Sequence, residues 1–199
     1  SNPLSNLVVY SQLLRDTLAD EDPRREDVAN IIAEALHCRD VMASLQGFAR
    51  EREPQWQETR LEPIIEAALG EVRPRVTLSV ELAADVPVLV ADARQLAKVL
   101  VNLLTNSIEA MSEGGQVSVI ARSLPDEGRL ELIVTDTGCG VPVELLPRVF
   151  QPFVTTKKGD RAAGFGLAVA HGIIHSHHGD IQMDSKPGRG STVTIHLPL

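Results

Sequence analysis

Leu130-Glu-Leu-Ile-Val-Thr-Asp-Thr-Gly-Cys-Gly140 is the stretch on which the fold turns. Residues 130–135 alternate as a strand does, and the run breaks at Asp136 into a turn with two closely spaced glycines. A carboxylate at a strand end can be aimed into a pocket, where it accepts a hydrogen bond from an exocyclic amine such as that of adenine. Gly138 and Gly140 let the backbone approach a flat ligand with no Cβ atoms in the way. Taken alone, the tetrapeptide is more commonly an ordinary Asp-Thr-Gly turn, so its neighbours have to decide.

Upstream, Asp92 to Met111 reads as one helix. Leu96, Val99, Leu100, Leu103, Leu104 and Ile108 recur at helical spacing, and Asp92 is a good N-cap. Asn102 and Asn106 are four apart and share a face. Amides beside an apolar stripe are costly to bury unless something uses them. An Asn carbonyl oxygen suits Mg²⁺, which is bound jointly with phosphate oxygens. The alternative, open at this point, is that both amides bond the backbone of a neighbouring loop.

Downstream, Phe150-Gln-Pro-Phe153 leads into Val154-Thr-Thr-Lys-Lys-Gly-Asp-Arg-Ala-Ala163, then Gly164-Phe-Gly-Leu167 and an apolar helix to about Ser176. Glycines at a helix N-terminus free N–H groups to face a phosphate chain, and Lys157, Lys158 and Arg161 add positive charge there. A solvated loop with a few lysines is the plain alternative. In their order, the three segments point to a chain that holds ATP and Mg²⁺.

That order, an Asn box, Asp-x-Gly-x-Gly, Phe-x-x-Phe and Gly-x-Gly, resembles the ATP-binding domain of sensor histidine kinases. The domain belongs to a superfamily shared with gyrase, a heat-shock chaperone and the MutL repair protein. The likeness covers residues 57–199 and runs through Gly179-Asp-Ile-Gln-Met-Asp-Ser185 and Pro187-Gly-Arg-Gly-Ser-Thr-Val-Thr-Ile-His-Leu-Pro198, which are similar to the closing hairpin. It implies an α/β sandwich of a mixed sheet with helices on one face. Asn102 and Asn106 would face the nucleotide, with Asn106 the Mg²⁺ ligand, and Asp136 would read adenine between Gly138 and Gly140. Lys157 would sit on a lid over the phosphates, above Gly164, Phe165, Gly166 and Leu167, and Ser191 or Thr192 would join the water network around the base. The family's lid usually ends in three alternating glycines; here Ala162 stands at the first.

The resemblance bears on mechanism too. ATPase members of the superfamily carry a Glu, the general base for water, four residues before the Mg²⁺ Asn. Asn102 occupies that place and cannot accept a proton at neutral pH. A histidine acceptor needs no such base, because neutral imidazole carries a lone pair.

The N-terminal residues carry a different pattern. Leu4, Leu7, Ser11, Leu14 and Leu18 follow a 3–4 spacing, and Asp20-Glu-Asp-Pro23 makes a turn with Pro at the next helix's first position. Val28, Ile31, Ala35, Cys38, Met42, Leu45 and Ala49 then continue in heptads. An antiparallel hairpin over residues 1–53 is expected to dimerise into a four-helix bundle, the alternative being a hairpin folded on its own C-terminal domain. Gln46 to Glu58 reads as the linker, which makes the overall class α+β.

Asn2-Pro-Leu4 is similar to the family's histidine-box phrase His-Glu-Ile-x-Asn-Pro-Leu, with counterparts also at Ser11–Leu14 and Gly47–Arg50. The phosphoacceptor is then expected three residues before Ser1, with the chain cut after it. Asn2 matches the position that orients water when such kinases act as phosphatases. The resemblance implies γ-phosphoryl transfer to that histidine, then to an Asp on a response regulator docked on the hairpin. The alternatives are an anti-sigma-type serine kinase and a non-catalytic ATP-sensing module.

The acidic balance, 27 Asp and Glu against 19 Lys and Arg, argues against nucleic acid as a partner. Cys38 and Cys139 make no disulfide framework and read as free thiols in a reducing, cytoplasmic setting. No apolar run approaches about 20 residues, so no membrane contact is expected of this chain, whatever segments its full-length parent carries upstream. His171 and His175 have the spacing of a zinc pair, but no carboxylate or Cys is evidently placed to complete a site. His178-Gly179 reads as a helix C-cap.

Overall fold

The computed structural model describes residues 3–49, 54–72, 76–156 and 164–199. The chain divides into two compact units, one containing the N-terminal helices and the other comprising residues 52–154 and 164–199.

In the helical unit, α1 (Pro3–Thr17) packs on α2 (Arg24–Ala49). The Asp22 carboxylate accepts the Arg24 N–H at 2.9 Å and pairs with its guanidinium at 2.6 Å, as a cap does. The hydrogen bond from that guanidinium holds the Asp22 pKa down at about 2. The buried seam consists of Val8, Ser11, Val28, Ile32 and Ala35. Of the expected stripes, Leu7, Leu14, Ile31 and Met42 are 46–51% exposed. Each helix is apolar over more than one stripe, and only one can face its neighbour within a two-helix hairpin.

The larger unit is built on a five-stranded mixed sheet. After the short strand β1 (Gln57–Thr59) and α3 (Leu61–Glu71) come β2 (Thr77–Leu82), β3 (Leu89–Ala91), α4 (Ala93–Glu109), β4 (Gln116–Leu124) and β5 (Arg129–Asp136). Then α5 (Gly166–Ser176) leads into the closing hairpin of β6 (Asp180–Ser185) and β7 (Ser191–Pro198). The strand order is β2-β4-β5-β7-β6, with β2 parallel to β4 and the other pairs antiparallel.

Strand alternation turns Val117, Val119 and Ala121, Leu130, Leu132 and Val134, and Val193, Ile195 and Leu197 to one buried face. Helices α3, α4 and α5 supply the other half of that core, burying Ile64, Ile65, Leu100, Leu103, Ile173 and Ile174. This is the expected α+β sandwich. Its core is aliphatic, and each fully buried Leu or Ile contributes about 1.5–3 kcal/mol.

Three local expectations change. Helix α2 runs to Ala49, and Gln57 and Glu58 pair with Ala91 and Val90 in a small second sheet, so the expected linker is shortened at both ends. Helix α4 ends at Glu109 rather than Met111, with Asp92 accepting from the Arg94 and Gln95 N–H groups at 3.0 and 3.1 Å. At the end of α5 the left-handed residue is His178 (φ 57), not Gly179. Gly179 is required for space instead, because a Cβ there would press on Leu197 and Ile174.

Candidate functional site

Asp136 is the last residue of β5 and is only 7% exposed. Its Oδ1 accepts the Gly138 N–H at 2.8 Å and the Ser191 N–H at 3.3 Å, and its Oδ2 accepts from Ser107 Oγ at 3.3 Å. Three elements therefore hold one carboxylate: the turn behind it, strand β7 and helix α4.

The glycines of the turn are set by crowding. A Cβ at Gly138 would stand 2.7 Å from Ala110 Cβ and 2.8 Å from the Ala110 carbonyl oxygen. That same carbonyl accepts the Cys139 N–H at 3.0 Å, which laces the turn to the end of α4. Gly140 (φ +69) and Gly190 (φ +84) lie in left-handed backbone against the carbonyls of Lys186 and Asp136, where a side chain would collide. Ser185 joins these pieces: its Oγ donates to the Gly190 carbonyl at 2.8 Å and accepts the Val141 N–H at 2.8 Å.

A second wall stands where α4 meets the start of α5. Asn102 and Asn106 are half-buried, and Asn102 Nδ2 donates to the Gly166 carbonyl at 3.1 Å. A Cβ at Gly166 would lie 3.5 Å from Asn106 Nδ2 and 3.9 Å from Asn102 Cβ. Gly164 has φ +65, and its carbonyl accepts the Phe153 N–H at 3.1 Å. The Phe153 ring meets the buried Phe165 ring edge-on at 4.8 Å. The N–H groups of the first turn of α5 make this wall suited to an anion.

The structure thus gathers the expected residues into two adjoining groups. Asn102, Asn106, Gly164, Phe165, Gly166 and Leu167 lie where α4 meets α5; Asp136, Gly138, Gly140 and Ser191 lie at the end of β5. Helix α4 joins them, because Asn106 directly precedes Ser107. Asn102 follows the reading in which an amide bonds neighbouring backbone. Thr192 does not join the site: its Oγ1 bonds Thr135 Oγ1 at 3.2 Å, since adjacent strand residues point to opposite faces. Asn2, Lys157, Lys158, Arg161 and Ala162 lie outside the described residues. The sequence reading missed Ser107, Ser185 and Gly190. Ser107 could have been suspected from its place beside Asn106, but Ser185 carries no local signal.

Comparison with known proteins follows the same outline. A family model described as "Histidine kinase-, DNA gyrase B-, and HSP90-like ATPase" matches residues 91–199. The signal transduction histidine-protein kinase AtoS of Escherichia coli (strain K12) is 33% identical over 203 residues, which cover all of this chain and 33% of AtoS. The chain therefore spans a third of that relative's length. Full-length ShkA in complex with AMPPNP superposes with a TM-score of 0.72 at 24% identity, over 98% of this chain and 43% of ShkA. Histidine kinase ThkA in complex with the response regulator TrrA gives a TM-score of 0.72 at 22% identity, over 98% and 57%.

Proposed function

The chain belongs to the histidine kinase-, DNA gyrase B- and HSP90-like ATPases, and from that premise we propose that it is the kinase core of a cytoplasmic two-component sensor, binding Mg-ATP and passing its γ-phosphoryl group to a histidine and then to an aspartate of a response regulator. The observation that carries this reading is the Asp136 carboxylate, fixed by the Gly138, Ser191 and Ser107 donors one helical residue from Asn106. A buried acceptor so held is suited to the amine of adenine, and the glycine-flanked start of α5 to the phosphates.

Asn106 fits a Mg²⁺ site of the kind completed by phosphate oxygens, because its half-buried amide carries a neutral carbonyl oxygen and stands at the start of α5, where its Nδ2 lies 3.5 Å from the place of a Gly166 Cβ. When bound, the cation would neutralise charge on the transferring group. The protein's own part is positional: Asp136 orients the base, Asn102 ties α4 to Gly166, and the first turn of α5 presents its N–H groups. With Asn102 in place of an acidic residue, the site has no general base for water there, which favours transfer to imidazole over hydrolysis. Lys157 is assigned to the lid, Asn2 to orienting water in the reverse, phosphatase direction, and residues 1–53 to a homodimeric hairpin that docks the regulator. The name of AtoS, a signal transduction histidine-protein kinase, supports the kinase reading, and ThkA solved with the response regulator TrrA supports a regulator as partner.

The test is γ-labelled Mg-ATP given to this chain and to the chain extended upstream with His-Glu-Ile. Acid-labile label on the extended protein alone is the expected result. Nucleotide binding without label on either protein would instead favour an ATP-sensing module, and no binding would overturn the reading of Asp136 and Asn106.

A further inference from the structure

At the far end of α4 and α5 from the Asn pair lies a second polar tie that the nucleotide site does not use. His177 is 2% exposed and ends α5. Its Nδ1 stands 2.8 Å from the Ile173 carbonyl, which can only accept, so Nδ1 carries the proton. Nε2 is then the acceptor for the Asp92 N–H at 3.0 Å. Asp92, 9% exposed, receives at its carboxylate the Arg94 and Gln95 N–H groups that begin α4, and on Oδ2 the Gln55 N–H at 2.9 Å. Burial acts to raise the Asp92 pKa, but the three backbone donors outweigh it and leave the carboxyl below its ordinary value. The adjoining Trp56 ring lies 5.1 Å from the His177 ring and stacks on His178 at 6.1 Å.

Gln55 and Trp56 belong to the segment by which the chain comes in from the helical unit. One cap residue therefore ties together that segment, the start of α4 and the end of α5. The second tie between these helices is Asn102 to Gly166, at the nucleotide end. Residues 92 to 102 of α4 and 166 to 177 of α5 both span roughly 15 Å at helical rise, so two polar ties bracket a matched apolar seam. A capping bond alone needs neither a buried imidazole acceptor nor a backbone donor from the linker.

Resting on the nucleotide-site reading above, we propose that Asp92 and His177 are positioning residues that couple docking of the Gln55–Trp56 segment to the geometry of Asn102, Asn106 and Gly166. The coupling is reciprocal, as any linkage between two binding equilibria must be. Nucleotide tightens the segment, and a segment held down favours nucleotide.

Trp56 is the only tryptophan in the chain, so its emission reports the tie directly. In the full chain, AMPPNP with Mg²⁺ should shift Trp56 emission saturably, with the midpoint that calorimetry gives for binding. His177→Leu, which removes the acceptor, should bind nucleotide with little or no emission shift; His177→Gln, which can restore an acceptor, should recover it. Should His177→Leu fail to fold, exchange of the Gln55 amide in the unaltered protein decides, and it should slow roughly fivefold or more with nucleotide. Calorimetric binding with no change at Trp56 or Gln55 would overturn the coupling alone, as would a full response in His177→Leu. Absence of calorimetric binding would sink the nucleotide site, and the coupling with it.

Discussion

Ser107 Oγ donates to Asp136 Oδ2 at 3.3 Å, so the helix that carries the Asn pair also holds the carboxylate at the strand end. The two walls of the site are thereby one mechanical piece. Replacing Ser107 by Ala removes a hydrogen bond to a charged group, worth about 1.5–3 kcal/mol at most. The expected result is a several-fold weaker affinity for adenine nucleotides by calorimetry, with a melting temperature several degrees lower; unchanged affinity would mean that the bond does not orient Asp136.

Asp136→Asn is more severe. The amide has one oxygen: with that kept on the Gly138 and Ser191 N–H groups, the Ser107 bond must reverse, Nδ2 donating to Oγ, and the side chain turns a donor where the carboxylate offered an acceptor. The amine of the base then meets no acceptor, which costs about 1–3 kcal/mol. Nucleotide binding should fall by roughly tenfold or more on the same basis, and discrimination between adenine and guanine nucleotides should shrink. Competition binding with both bases reads this directly, and retained adenine preference would argue against Asp136 as the reader.

Gly190→Ala tests the backbone of the closing hairpin. At φ +84 and against the Asp136 carbonyl, an added Cβ brings strain of about 1–3 kcal/mol and a collision besides. A drop in melting temperature of about 5 °C or more is expected in scanning calorimetry. Gly188→Ala is the control: it shares a positive φ of 74 but has open space around it, so it should cost less.

On the sheet face away from the helices, Glu131 is 8% exposed and accepts from Arg122 on one side and lies 3.3 Å from His196 on the other. The hydrogen bond from the Arg122 guanidinium, helped by His196 and opposed by burial, lowers the Glu131 pKa. A carboxylate whose folded pKa is depressed stabilises the fold above its unfolded value, about 4.3, and loses that contribution as pH falls through the folded value. Urea unfolding at pH 7 and near pH 3 should therefore show a steeper loss for the unaltered chain than for Glu131→Gln. Parallel pH dependence in the two proteins would remove Glu131 from the account.

If the hairpin dimerises as proposed, the exposed Leu7, Leu14, Ile31 and Met42 are apolar side chains that a second hairpin would cover. Leu14→Glu combined with Ile31→Glu should convert the expected dimer to monomer in sedimentation equilibrium, leaving nucleotide binding intact. Dimers that survive both charges would place the interface elsewhere.

Much of this was legible from residue order. Asp92 announced itself as an N-cap and caps α4. The alternation before Asp136 predicted a strand, and β5 ends there. Periodicity leaves packing open where more than one stripe is apolar. Ile31 and Ile32 are adjacent, and nothing along the chain says which of them faces α1; packing chose Ile32. Ser191 and Thr192 raised the same difficulty in a strand, where register alone decides which hydroxyl lies on Asp136's side.

The sequence by itself determined the capped helix that carries the Asn pair, the strand that ends at Asp136 and the glycine-flanked turn after it, because periodicity, capping and backbone freedom are local properties; the mixed sheet under its helices followed from the resemblance those motifs carry. Only the tertiary structure decided that Ser107 and Ser191 hold Asp136, that Asn102 is spent on Gly166, and that His177 joins Asp92 and Gln55. Those partners lie 29 to 85 residues apart along the chain. A hydrogen bond depends on distance and angle within a few tenths of an ångström, and at such separations only the packed core sets them.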